Sequence, residues 1–206
     1  MERRASAPAF FLITMQVDFA VELGRDDDTL EIPWATPDGS LRYHNLKREP
    51  EAVDHLEEAA RWPELRAFLI AVNAQASMLE SAKCDAWSTT DLNPEEEIFG
   101  VPWKFGSYID LLFSDPTVRF FFEQHETFLK QLTGLLKAVP QIPASIELFL
   151  RRCFFREGES VREGYYLTFY VFGFGEDEFH ARKQWGIALR LVSGAITQLS
   201  SRHSAL

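Results

Sequence analysis

The stretch YYLTFYVFGF, residues 165–174, limits the fold more than any other part of the chain. Successive side chains of a strand point to opposite faces, so Tyr165, Leu167, Phe169 and Val171 share one face and Tyr166, Tyr170, Phe172 and Phe174 the other. Both faces are apolar or aromatic, whereas a sheet covered by helices on one side shows polar residues on its exposed side. Three arrangements satisfy such a strand: a central position between helices on both faces, a curve around a ligand pocket, or an open face that meets another protein chain. The aromatic content fits any of them. Phe accounts for 18 residues against 5 Trp and 5 Tyr, and aromatic side chains dominate cores and interfaces because each buries a large area.

The rest of the chain supplies this strand's neighbours. Phe11, Ile13, Met15, Val17, Phe19, Val21 and Leu23 alternate with Thr14, Gln16, Asp18 and Glu22, which predicts a half-buried strand over 11–23. Turn residues at 24–28 and renewed alternation at Leu30, Ile32 and Trp34 predict the return strand of a hairpin. From Pro50 the period becomes helical, with Val53, Leu56 and Ala60 on one stripe; after Pro63 it resumes through Leu65, Phe68, Leu69, Val72 and Ala76. A second hairpin is predicted between 82–89 and 105–113, joined by a long connection that carries Glu95, Glu96, Glu97 and Trp103. Asp115 and Pro116 predict the start of a helix to 139, with Val118, Phe122, His125, Leu129, Leu132 and Leu136 along its apolar stripe. A third hairpin joins 145–156 to 165–174 about Gly158. Acids at 176–178 load the positive end of a last helix whose stripe is Ala181, Trp185, Ala188, Val192, Ala195 and Leu199.

The expected fold is therefore α+β, an antiparallel sheet built from three hairpin–helix (ββα) units with helices packed mainly on one face. At 206 residues one core is the default. The expected organisation is a disordered N-terminal leader over 1–8, a single α+β domain over 9–201 and a flexible tail over 202–206.

Charge and cysteine content narrow the partners. Asp and Glu outnumber Lys and Arg by 31 to 21, and a formal charge of −10 repels phosphate backbones, so a basic partner is favoured over nucleic acid. Cys84 and Cys153 fall on separate predicted strands, which fits a reducing compartment, and a cytoplasmic location is expected. Gln16 and Asp18 interrupt the apolar N-terminal run before a signal-peptide core forms, and no stretch approaches the length of a membrane span.

No motif marks a catalytic residue, and no cofactor or metal is expected. Gly173 and Gly175 superficially resemble a phosphate loop, but the acids that follow would repel phosphate, so the glycines are read as room for a tight turn and close helix–strand packing. Glu176 with His180, and His125 with Glu123 and Glu126, lack the spacing of a metal site. The expected function is a non-enzymatic protein-interaction module, of the adaptor, assembly-factor or immunity/inhibitor type. It would bind through an aromatic sheet face and acidic loops, using Trp103, Tyr166, Tyr170, Phe172, Glu95, Glu96 and Glu97, and a second copy of the chain is one candidate partner. The alternative is a domain that holds an apolar small molecule, with His125, Arg152 and Tyr166 supplying its polar contacts; an enzyme ranks third.

Overall fold

The computed structural model of the chain describes residues 15–24, 26–139 and 142–203. The expected leader over 1–8, positions 11–14 of the first predicted strand and residues 204–206 lie outside the described residues. Among the described residues, one sheet contains β1 (Gln16–Glu22), β2 (Leu30–Ile32), β3 (Leu79–Thr89), β4 (Trp103–Phe113), β5 (Ala144–Glu157) and β6 (Ser160–Gly175). The strand order is β1-β5-β6-β4-β3, with β2 also on β5. The helices are α1 (Glu57–Arg61), α2 (Pro63–Val72), α3 (Phe122–Lys137) and α4 (Glu178–His203). None of them is long and apolar enough to cross a membrane.

The class is α+β, but the sheet is mixed, not antiparallel, because β1 and β2 do not form the expected hairpin. Both run parallel to β5 and lie end to end along it, with Glu22 opposite Arg151 and Leu30 opposite Cys153. One edge position is thus shared by two short strands. Turn chemistry marks where a strand stops; it does not set the direction in which the chain resumes. The remaining pairings, β3 with β4, β4 with β6 and β5 with β6, are antiparallel.

The buried hydrophobic residues of all four helices join a core on one face of the sheet. There Leu167, Phe169 and Val171 of β6 pack with Ile109 and Leu111 of β4, Ile146 and Leu148 of β5, Leu65 and Leu69 of α2, Leu129 and Leu132 of α3, and Trp185 of α4. α4 lies unusually close to β6. A Cβ added at Gly173 would sit 2.1 Å from the Trp185 backbone nitrogen, so glycine is what permits this approach. Trp185 is fully buried and its indole Nε1 donates to Ser107 Oγ of β4 at 2.9 Å, which satisfies the polar atom that burial would otherwise penalise.

α3 begins at Phe122, later than Asp115 and Pro116 suggested. Asp115 instead caps a turn, accepting from the Thr117 backbone N–H at 2.8 Å, and Val118–Phe120 form a single 3-10 turn. The delay lets the chain serve both faces of the sheet. Val118 packs on the helix-side core, while Phe120 reaches the opposite face and sits edge-on to Phe155 at 5.4 Å.

Candidate functional site

The face of the sheet without α-helices is covered at its two ends and open in the middle. At one end Trp34 Nε1 donates to the Ala82 carbonyl at 2.7 Å, and the Tyr43 hydroxyl donates to Glu80 Oε1 at 3.0 Å, so the segment after β2 is tied down over β3. At the other end the β3–β4 connection folds back: Phe99 stacks on Phe174 with ring centres 4.0 Å apart. Lys104 Nζ donates to both carboxylate oxygens of Glu96, at 2.8 and 2.9 Å.

Between these covers, strand register lays out two transverse rows. One runs Asp85, Tyr108, Tyr170, Glu147 and Asp18 across β3, β4, β6, β5 and β1; the next runs Lys83, Asp110, Thr168, Phe149 and Ala20. Trp87, Tyr108, Phe149 and Tyr170 are half-buried. Tyr170 lies 6.3 Å from Tyr108, 5.7 Å from Phe149 and 6.2 Å from Phe172, and Trp87 lies 6.5 Å from Tyr108. These rings form a continuous aromatic band across four strands. Exposed acids flank it, Asp85 at the β3 side and Glu147 and Asp18 at the β1 side. Partial burial, reinforced by the like charges of Glu96, Glu95 and Asp18 and opposed by Lys104, raises the Glu147 carboxyl above the ordinary range.

Rings in this region already hold cations. Lys83 Nζ lies 5.7 Å from the Tyr108 ring centre and 5.8 Å from that of Trp34, and the Arg151 guanidinium lies 5.0 Å from Phe149 and 5.8 Å from Tyr170. Arg151 is fixed by Glu22 at 2.8 Å and approached by Asp28 at 3.7 Å.

Three acids are buried among the described residues, and they are not alike. Glu80 is paired with Arg119 at 2.9 Å and Glu96 with Lys104. Asp110 accepts the Thr168 hydroxyl at 2.6 Å but has no ion-pair partner among the described residues; Lys83 and Arg151 act on it only from farther away. Burial pushes its carboxyl up to about 6, the Thr168 hydrogen bond and these two cations offsetting only part of the rise. Burial also pushes the Tyr166 hydroxyl, beside Thr168 and Arg151, up to about 12.

The residues expected to form a site are dispersed. Tyr170 lies in the band. Tyr166 and Phe172 face the same side but are buried, Tyr166 under the first cover and Phe172 beneath the second, where Gly106 leaves room for its ring. Trp103 falls on the helix side, packed against the main core, so it does not belong to the aromatic face. Glu96 is committed to Lys104 and to the Asn93 backbone N–H; only Glu95 and Glu97 of that run are exposed. Glu95 lines an open groove of about 610 Å³ with Met15, Asp18, Ile98 and Lys137.

His125, Arg152 and Tyr166 do not converge. His125 is fully buried on the helix side, Nδ1 2.9 Å from the Phe121 carbonyl and its ring edge-on to Phe113; burial lowers its pKa. Arg152 donates to the Gly24 carbonyl, and Tyr166 occupies the opposite face. The thiols offer no nucleophile: burial pushes Cys84 up to about 12 and raises Cys153 as well. The residues that sequence reasoning passed over are Trp87, Tyr108, Phe149 and Asp110. The signal for Asp110 was present, an acid set between Ile109 and Leu111 in the apolar run 108–113.

No protein-family model, curated protein or solved structure matches the chain.

Proposed function

We propose that the chain is a non-enzymatic recognition module that takes a basic segment of a partner protein across the middle rows of its helix-free sheet face. The observation that carries this reading is the aromatic band of Trp87, Tyr108, Tyr170 and Phe149, left half-exposed between two covers and flanked at both sides by exposed acids. Aromatic faces with nearby carboxylates suit Lys and Arg side chains, whose stems pack on the rings while their charges meet the acids. A second copy of the chain is a poor occupant, since it carries the same −10 charge and the same acidic margins. Converging polar groups for a small molecule are absent from the trio His125, Arg152 and Tyr166, which two faces of the sheet divide.

The test is binding of immobilised peptides of equal length and graded charge to the full chain. Basic peptides are expected to be retained and acidic ones rejected, with affinity falling as salt rises. Tyr170→Ala should weaken retention roughly tenfold without a change in fold, the loss typical of a central aromatic contact. Equal retention of basic and acidic peptides, or none of either, would overturn the reading.

A further inference from the structure

We propose that Asp110 is the anchor of this face and receives the guanidinium group of an arginine presented by the partner. The inference rests on the recognition reading above and names the group recognised and the residue that recognises it. Its basis is the contrast among the buried acids. A buried carboxylate is ordinarily paired, because desolvation of an isolated charge is expensive. Glu80 and Glu96 obey that rule; Asp110, only 6% exposed, has no such partner among the described residues.

Among the described residues, the two cations that act on Asp110 make their closest contacts elsewhere. Lys83, directly opposite Asp110 in the register, lays its ammonium over Trp34 and Tyr108. Arg151 is held by Glu22. Thr168 hydrogen-bonds one carboxylate oxygen, Oδ1, and fixes the carboxyl from the β6 side. Tyr108 precedes Asp110 by two positions on the same face of β4, and Tyr170 is its neighbour on β6. A planar guanidinium matches this combination, since it can stack on an aromatic ring while its fork meets a carboxylate; an ammonium has no such plane.

Proton linkage gives the site a signature. Of the groups facing Asp110, burial holds Tyr108 on its own strand, Tyr166 on β6 and Cys153 on β5 above their ordinary values. Lys83, Arg151 and Asp28 also act on it. Asp110 itself changes charge near pH 6. An arginine stays protonated throughout, so its binding should strengthen as pH rises from about 5 to about 7 and the carboxyl ionises.

The probe is N-acetyl-arginine amide, with the neutral N-acetyl-citrulline amide as control, titrated into the full chain by NMR. Expected are saturable shifts of the Asp110 carboxyl and the Tyr108 and Tyr170 rings with the arginine probe only, and a fall in the Asp110 pKa as the probe binds. Asp110→Asn should weaken the arginine probe at least about tenfold and flatten the pH response. Should that variant fail to fold, the wild-type Asp110 titration with and without probe decides: a pKa unmoved by saturating probe overturns the proposal. Basic peptides held equally well by wild type and Asp110→Asn sink the anchor and leave the aromatic face standing. Basic peptides that bind neither overturn both readings.

Discussion

Adding one methyl group at Gly173 is expected to cost the chain most of its stability. The new Cβ would lie 2.1 Å from the Trp185 nitrogen, 2.4 Å from the Ala181 carbonyl oxygen and 2.7 Å from the Trp185 Cα. All three obstacles are backbone of α4, so no side-chain rotation relieves the clash. The helix must lift from β6, which pulls the fully buried Trp185 away from Phe105, 4.6 Å away between ring centres, and breaks its hydrogen bond to Ser107. Ordinary overpacking costs about 1–3 kcal/mol; a clash with rigid backbone beneath the longest helix should exceed about 4 kcal/mol. Gly134→Ala is the matched control. Gly134 is exposed within α3 with nothing inside 4 Å of the added methyl, so alanine should stabilise by about 0.5–1 kcal/mol through its helix preference. Urea denaturation reads both changes. A Gly173→Ala midpoint equal to wild type would mean that α4 does not dock at this distance.

Gly173 and its neighbour Gly175 show what is legible in the sequence. Gly173 and Gly175 flank a phenylalanine just before an acid-loaded helix, and the reading of them as room for close helix–strand packing matches their contacts with α4. The apolar stripes of α3 and α4 were equally plain, because helical periodicity is local and survives without knowledge of the neighbours. Strand pairing is different. The alternation of β1 and β2 identifies both as strands, yet the same pattern serves a hairpin or two collinear strands, and only their common register on β5, more than a hundred residues away in sequence, separates the two. Facing is as fragile. A bulge between Ser81 and Lys83 shifts the phase of β3, and it is after this shift that Trp87 faces the open side. Trp103, conspicuous in a long loop by sequence, belongs instead to the first position of β4 and turns toward the helices. Glu96, expected with Glu95 and Glu97 to meet a partner, is instead paired with Lys104 of the chain itself. Asp110 is visible as an acid between apolar neighbours, but the residue that holds it, Thr168, lies on a strand 58 residues later.

Asp110→Asn is expected to stabilise the folded chain at neutral pH, the reverse of its effect on arginine binding. Folding raises the Asp110 carboxyl from an ordinary 3.8 to about 6, so the folded state holds a proton that the unfolded state releases. For an acid shifted upward, the stability it contributes is fully present below about pH 4 and is lost as pH climbs through about 6. At about 1.4 kcal/mol for each pH unit, the neutral-pH penalty is about 3 kcal/mol. Asparagine keeps the size of the side chain and an oxygen to accept the Thr168 hydroxyl, and it carries no charge to desolvate. The variant should therefore unfold at a higher urea concentration than wild type at pH 7 and at nearly the same concentration at pH 4, with an unchanged slope. A variant less stable than wild type at pH 7, or a gain of equal size at both pH values, would show that the carboxyl is not buried unpaired. A side chain that weakens the fold under the conditions in which it is ionised is hard to account for by packing alone; opposed effects of one substitution on stability and on arginine affinity are what a binding residue retained at the expense of stability produces.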